Sequence, residues 1–275
     1  MSQPEVLPLS GKTVLITRGE KQAGELSRML KKYGAQTVEA AVIEIGEPKS
    51  WKPLDTALGA IQDYDWIIFA STNAVASVVG RCTAFGADYL KTSGVKIAAI
   101  GSATQEKLLL AGIKTDFQPS KFVAEEFVED FCAAHNVNGK RFLLPRTNAG
   151  RTVIADGLKK QGGKVDMVEA YSTNLPKNKK EVSEKLHELL SERRVDVITF
   201  ASSQTAKNFV DLLQVDSSYA STEKLRELLS RIVIAAIGPV TAKTCRELIG
   251  TVDVEADEHT TQGLVASLIQ HCSPE

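Results

Sequence analysis

The chain contains two copies of one sequence pattern. The segment IAAIGSAT at residues 97–104 returns as IAAIGPVT at 234–241, with six of eight positions identical. Upstream of each copy, DWIIFAST at 65–72 returns as DVITFASS at 196–203. Each of these pairs is typical of a buried apolar strand that runs into a small polar turn. A chain that builds the same strand–turn–helix unit twice is expected to form two similar lobes with a cleft between them.

The alternation of strand and helix patterns predicts parallel sheets. A front module, at 13–45 and again at 141–171, holds two strands and a helix between them, and its second strand is predicted over 37–45 in the first copy. A back module, at about 60–131 and 193–270, holds three strands, each followed by a helix, and the last strand is short. One front and one back module give about five strands, the size of a doubly wound, flavodoxin-like α/β domain.

Two segments rich in proline and lysine, residues 46–53 and 174–180, follow the two front modules. Such composition is typical of linkers. Because a linker lets a front module reach either back module, the pattern leaves open whether each front module folds with its neighbour or with the distant copy.

Composition excludes several classes of protein. The chain has 275 residues, a net charge of −1 and 43% apolar residues, so we expect two ordinary cores and no nucleic-acid or membrane partner. No apolar run is long enough to span a membrane, and no signal peptide is evident. The four cysteines form no CxxC pair, and the four histidines lack metal-ligand spacing. These features predict a cytoplasmic protein without a bound metal.

The strand-end turns lack the motifs of cofactor and nucleophile enzymes. The chain has no GxGxxG after a strand, no GxxxxGK[ST] and no GxSxG. The turn at 17–21 lacks the run of glycine and hydroxyl residues that is needed to wrap a flavin phosphate. A nucleotide or flavin enzyme is therefore disfavoured, and any proposed function must work without a strong catalytic side chain.

The remaining candidates lie where strands end and helices begin. Ligands of open α/β sheets bind at the carboxyl ends of the strands, and helix N-termini attract anions. Together these ends would suit a ligand with many carboxylates. The alternatives are that the hydroxyl residues only cap helices and that the arginines form surface salt bridges. The candidate binding residues are Thr17, Arg18, Ser71, Thr72, Asn73, Gly101, Ser102, Arg146, Ser202, Ser203, Gly238, Pro239 and Thr241.

Tyr171 is the one candidate for a chemical role. It ends the second strand of the second front module, after Val168, where the first copy has Ala41. One interpretation is a half-buried aromatic residue on a strand. The other is a phenol at the junction of the lobes that donates a proton.

Six short segments follow one another along the chain in a specific order: VLITR at 14–18, IFASTNAV at 68–75, AIGSAT at 99–104, VEAY at 168–171, TFASS at 199–203 and AIGPVT at 236–241. Each motif is weak alone, but their order and spacing are specific. Over about residues 12–270 they make the chain resemble the uroporphyrinogen-III synthase family. Gln204 and Thr205 depart from the family, which often has proline, glycine or alanine after the second serine turn.

The resemblance implies how the modules pair. Two flavodoxin-like domains would be joined by a hinge of two strands, and the modules of an internal duplication would be exchanged between them. Residues 1–40 with 174–275 would form domain 1, and residues 46–168 domain 2. Residues 41–45 and 169–173 would be the hinge strands.

The resemblance also implies a reaction. Linear hydroxymethylbilane would be cyclised to uroporphyrinogen III, with loss of water and inversion of ring D through a spiro intermediate. It implies no cofactor, and Tyr171 matches the tyrosine that is the candidate proton donor. The enzyme would be a monomer, and hand-over of substrate from hydroxymethylbilane synthase is compatible with this role. The alternatives are a non-catalytic two-lobed binding protein and a nucleotide-dependent transferase; incubation with hydroxymethylbilane separates the first from an enzyme.

Overall fold

The computed structural model describes residues 7–86, 88–215 and 222–273. Contacts divide the chain into two units. Unit 1 comprises Met1–Glu44 and Asn174–Glu275, and unit 2 comprises Ile45–Thr173. Among the described helices, none is both long enough and apolar enough to cross a membrane.

The described residues form ten strands and twelve α-helices. The strands are β1 (Thr13–Ile16), β2 (Gln36–Glu39), β3 (Glu44–Gly46), β4 (Trp66–Phe69), β5 (Lys96–Ala99), β6 (Arg141–Thr147), β7 (Lys164–Asn174), β8 (Val197–Phe200), β9 (Val233–Ala236) and β10 (Val254–Glu255). The helices are α1 (Glu20–Lys32), α2 (Lys52–Gly59), α3 (Thr72–Cys82), α4 (Tyr89–Thr92), α5 (Ser102–Leu110), α6 (Ala124–Ala134), α7 (Val153–Lys160), α8 (Lys179–Ser191), α9 (Ser203–Leu213), α10 (Thr222–Leu229), α11 (Pro239–Leu248) and α12 (Thr261–Cys272).

Unit 1 is built on a five-stranded parallel sheet in the order β10-β9-β8-β1-β2. Leu15 in β1 is in register with Val38 in β2 and with Ile198 in β8. Numbered along the chain within the unit, this order reads 2-1-3-4-5, which is the flavodoxin-like doubly wound arrangement.

Unit 2 is built on a second five-stranded sheet in the order β3-β7-β6-β4-β5. Strand β4 pairs in parallel with β5 and β6, and β6 pairs in parallel with β7. The protein is therefore an α/β protein with two sheets dominated by parallel strands.

Apolar residues on both faces of the central strands explain why helices cover both sides of the sheets. Leu15 is fully buried in a cluster with Phe209 of α9, whereas its neighbours Val14 and Ile16 are buried in another cluster with Leu26 of α1. Successive strand residues point to opposite faces, so such continuous apolar runs need a helical layer on each side.

Aspartate carboxylates fix where the central strands begin. In unit 1, Asp196 accepts a hydrogen bond from the backbone N–H of Thr13 at 2.7 Å. In unit 2, Asp65 accepts one from the backbone N–H of Arg141 at 2.9 Å. Each carboxylate precedes one strand and binds the first residue of the adjacent strand, which helps to fix the strand register within its unit.

The prediction of one continuous strand over 37–45 is wrong. Strand β2 ends at Glu39 and β3 begins at Glu44, and the two belong to different sheets. Pairing stops because the neighbouring strand β1 ends at Ile16, whose carbonyl accepts from the N–H of Ala40; one longer bond follows, from the N–H of Val42 to the carbonyl of Thr17 at 3.4 Å. Residues 169–173, by contrast, lie inside the long strand β7. The predicted two-strand hinge stays a prediction.

Two other boundaries also differ from the sequence-based prediction. The predicted turn at 145–148 is strand as far as Thr147, with a register shift between Arg146 and Thr147. Proline is tolerated at 145 because β4 pairs with β6 only at Phe142 and Leu143, so no partner on that side needs the missing N–H. The short last strand predicted for the first back module is only an isolated bridge, between Ala98 and Phe117.

Candidate functional site

The turns after the central strands lead directly into helices in both units. Ser71 is the N-cap of α3 and Ser202 the N-cap of α9, and both hydroxyls accept backbone N–H groups. Gly101 and Gly238 precede α5 and α11, and neither helix start has a side-chain cap. The first N–H groups of α5, and those of α11 that follow Pro239, therefore remain available to an anionic ligand, as helix N-termini often are.

Tyr171 lies inside β7, not at the end of its strand as predicted, and it meets Ser71 just after the end of β4 in unit 2. The phenol of Tyr171, which is only 8% exposed, donates a hydrogen bond to Ser71 Oγ at 3.0 Å. The same oxygen accepts from the backbone N–H groups of Asn73 at 3.1 Å and Ala74 at 3.4 Å. The phenol is thus linked through one hydroxyl to the positive end of α3.

Burial keeps the Tyr171 phenol protonated. Loss of hydration raises the pKa of Tyr171 above its ordinary value. The bond to Ser71 and the nearby charge of Arg146 lower it, but by less than burial raises it. At neutral pH this group can therefore donate a proton.

The guanidinium of Arg146 is used to hold its own loop. It donates to the carbonyl of Gly150, to the carbonyl of Thr147 at 3.2 Å, and to Met167 Sδ at 3.2 Å. A ligand anion at this arginine would compete with these bonds. The charge of Arg146 still acts on Tyr171.

The other unit 2 candidates surround the starts of α3 and α5. Thr72 and Asn73 are half-buried and Ser102 is exposed, and their side chains bond no protein group in the described part of the chain. Gly101 has φ of 100°, a conformation that favours glycine. These side chains are free to meet a ligand.

In unit 1, the side chain of Thr17 lies inside the sheet and is not exposed at the surface. It is fully buried, and its hydroxyl donates to the carbonyl of Thr199 in β8 at 2.7 Å. Its neighbour Arg18 is half-buried and donates to Thr261 Oγ1 at 2.8 Å, at the start of α12. Burial lowers the pKa of Arg18, and Glu25 opposes that shift. Within the described residues, Arg18 Nε is buried without a hydrogen-bond partner.

The two back-module turns of unit 1 are tied to each other. Ser202 and Thr205 form a capping box at the start of α9. Ser203 Oγ donates to the carbonyl of Val240, in the first turn of α11, at 3.1 Å. Thr241, also in that turn, is 5% exposed. Of the residues predicted here, Gly238 offers a backbone N–H, Pro239 has none, and Ser202 and Ser203 already bond protein groups.

One residue near these turns was missed from the sequence. The ring of the exposed His259 packs against Gly238, where an added Cβ would lie 2.8 Å from His259 Cδ2. The signal in the sequence that could have identified His259 was its position. It lies just before the start of α12, where Thr261 accepts a hydrogen bond from Arg18. Among the described residues, no group of three or more His, Cys, Asp or Glu side chains could hold a metal ion.

Comparison with known proteins identifies the family. A family model described as uroporphyrinogen-III synthase HemD matches residues 24–266. The chain belongs to the uroporphyrinogen-III synthase family. A curated uroporphyrinogen-III synthase from Synechococcus elongatus is 38% identical over 268 residues, which cover 96% of each chain. One from Chlorobaculum parvum is 28% identical over 203 residues, covering 74% of this chain and 79% of that relative.

Solved structures of uroporphyrinogen-III synthases share the fold. A mutant from Thermus thermophilus has a TM-score of 0.67 at 16% identity and covers 95% of this chain and 98% of that one. The enzyme from Helicobacter pylori has a TM-score of 0.58 at 16% identity, with 93% and 97% covered. As a member of the uroporphyrinogen-III synthase family, the chain is an enzyme of porphyrin biosynthesis.

Proposed function

We propose that the chain is a cofactor-independent, cyclising hydro-lyase that converts hydroxymethylbilane to uroporphyrinogen III. Water is lost, and ring D is inverted through a spiro intermediate. The observation that carries the proposal is the 38% identity to a uroporphyrinogen-III synthase over 96% of the chain. The strand-end chemistry agrees with it, because the reaction needs a weak acid and anion-binding turns more than it needs a nucleophile.

Tyr171 is the proton source for the departing hydroxyl. Burial raises the pKa of its phenol, so the group is protonated at neutral pH. Hydroxymethylbilane is electron-rich and loses its hydroxyl readily, so a weak general acid suffices. No stronger acid is required by this chemistry.

The substrate's carboxylates bind the helix starts of each unit. In unit 2 the proposed groups are Thr72, Asn73, the first turn of α5 after Gly101, and Ser102, next to Ser71, whose hydroxyl caps α3. In unit 1 they are Arg18, Ser202, Ser203, and the first turn of α11 after Gly238, which includes Pro239 and Thr241. Uncapped helix N-termini and a buried guanidinium favour carboxylates. Thr17 supports the sheet beneath Arg18, and Arg146 holds its loop and adds positive charge.

Isomer choice follows from positioning. Unaided closure of hydroxymethylbilane gives the uninverted isomer, so the protein has to hold the chain with the substituted carbon of ring D presented to the reactive end. Holding reacting groups in place is a large source of rate enhancement. This explains why binding groups dominate the candidate site.

The proposal includes the setting of the reaction. The four cysteines are free thiols, which agrees with a reducing, cytoplasmic compartment. We propose that the enzyme works there as a monomer and receives its substrate from hydroxymethylbilane synthase. Sedimentation of the purified chain tests the oligomeric state.

Product analysis tests the activity. The purified chain is incubated with enzymatically generated hydroxymethylbilane in the presence of a chelator, and the oxidised products are separated by chromatography. We expect the type III isomer to predominate, at a rate proportional to enzyme concentration. Formation of the type I isomer alone, at the uncatalysed rate, would show a binding protein and refute the proposal.

A further inference from the structure

The hydroxyl of Ser71 can still donate one hydrogen bond, through its own O–H. A serine hydroxyl has two acceptor lone pairs and one O–H. Here the N–H groups of Asn73 and Ala74 share one side of Oγ, and the phenol of Tyr171 donates to it as well. Within residues 7–86, 88–215 and 222–273, Ser71 donates to no protein atom.

The phenolic proton of Tyr171 is already used in a hydrogen bond to Ser71 Oγ. Its donor distance to Ser71 Oγ is 3.0 Å, and its side chain is 8% exposed, whereas Ser71 is half-buried. A substrate hydroxyl that took the Tyr171 proton directly would have to replace Ser71 as acceptor. A substrate hydroxyl that approached Ser71 could instead take the proton of Ser71 Oγ–H. Tyr171 could then donate its own proton to Ser71.

We infer that Ser71 and Tyr171 form a two-residue proton relay, in which Ser71 Oγ–H protonates the departing hydroxyl and Tyr171 restores the proton to Ser71. The inference rests on the proposed function and deepens it, because Ser71 becomes the catalytic residue that touches substrate. Tyr171 becomes the reservoir behind it.

Protons and electron pairs balance over one turnover of the relay. The carbon–oxygen bond breaks with its electron pair going to oxygen, and the protonated oxygen leaves as water. Ser71 receives the proton of Tyr171, which becomes a phenolate. When the pyrrole that closes the macrocycle regains its aromatic form it releases one proton, and that proton returns through Ser71 to Tyr171. No oxidant, reductant or other co-reactant is needed.

Two neighbouring groups partly offset the burial that disfavours the transient phenolate. The N–H groups of the first turn of α3 polarise Ser71, and the Arg146 charge acts on Tyr171. The hydrogen bond to Ser71 and the charge of Arg146 lower the pKa of the phenol, but by less than burial raises it. A buried anion next to a helix N-terminus and a guanidinium costs less than an isolated one.

A matched pair of substitutions at Ser71 tests the relay. Asparagine caps helices as well as serine does, so Ser71→Asn keeps α3 and an acceptor for Tyr171 but has no proton to transfer. Ser71→Thr keeps both the cap and a transferable proton. We expect Ser71→Asn to lower kcat by up to about 10²-fold with little change in KM, and Ser71→Thr to recover most of that loss.

A double-mutant cycle with Tyr171→Phe makes the test specific to a relay. The double variant Ser71→Asn with Tyr171→Phe should be no slower than the slower single variant, because both substitutions interrupt the same transfer. If Ser71→Asn fails to fold, Ser71→Ala is compared with Ser71→Thr in the same cycle. The expected pattern is a loss with Ser71→Ala and a recovery with Ser71→Thr.

If wild-type enzyme makes the type III isomer, three results would overturn the relay. The first is a double variant whose loss of kcat equals the product of the losses in the two single variants. The others are full kcat in Ser71→Asn and failure of Ser71→Thr to recover activity. If wild-type enzyme makes only the type I isomer, the proposed function fails and the relay fails with it. The two failures are therefore distinguishable by the wild-type product alone.

Discussion

Removing one buried amide, that of Asn208, should destabilise unit 1. Asn208 is 2% exposed on α9, the helix whose start carries Ser202 and Ser203. Its Nδ2 donates to the carbonyl of Val42 at 2.9 Å and, more weakly, to that of Asn174 at 3.4 Å. Residues 40–43 lie in neither sheet. The amide therefore supplies a hydrogen bond that a neighbouring strand would otherwise give.

The magnitude follows from what Asn208→Ala leaves behind. A buried carbonyl that loses its donor costs about 1–3 kcal/mol, and the longer second bond adds little. At 2–4 °C per kcal/mol for a protein of this size, the melting temperature should fall by roughly 5 °C. Substitution of an exposed asparagine should change stability by less than about 0.5 kcal/mol.

Asn178→Ala is the matched control. Asn178 is exposed, and within the described residues its side chain caps no backbone group and donates only to Glu181 Oε2, at 3.1 Å. Urea unfolding followed by far-ultraviolet circular dichroism measures both variants against wild type. Equal unfolding midpoints for Asn208→Ala and Asn178→Ala would refute the argument that a buried amide holds the segment after β2.

Further predictions concern packing, binding and pH. Gly157→Ala should lower stability by about 1–2 kcal/mol, because the new Cβ would lie 2.5 Å from a valine of α6 and overpacking outweighs the gain in helix propensity. Gly24→Ala, with nothing within 4 Å, should raise it by about 0.5–1 kcal/mol, and thermal unfolding that ranks the two the other way would contradict this. Arg18→Gln should raise KM for hydroxymethylbilane on the order of tenfold, whereas Arg28→Gln, at an exposed arginine, should not; steady-state kinetics decides. Burial raises the pKa of Tyr171 above that of an ordinary tyrosine, so its phenol keeps its proton at neutral and mildly alkaline pH and kcat should show no decline there; a decline centred near pH 8 that disappears in Tyr171→Phe would contradict this assignment.

Local features of the fold followed from the sequence. Runs such as residues 14–16 and 67–69 are apolar at every position, and only a strand covered on both faces buries them all. Ser71 and Ser202 precede amphipathic helices, and both became N-caps as their positions predicted. These outcomes depend on neighbours within a few residues, which is the range that periodicity and capping patterns cover.

Tertiary contacts decided what each candidate side chain does. Thr17 was predicted to bind a ligand, but its hydroxyl faces Thr199, 182 positions away in the chain. Tyr171 meets Ser71 across 100 positions. The strand predicted over 37–45 stops because β1, its partner, stops. Side-chain roles at strand ends depend on which strands become neighbours and in what register, and that choice is made by the packing of whole sheets, which no local pattern in the sequence contains.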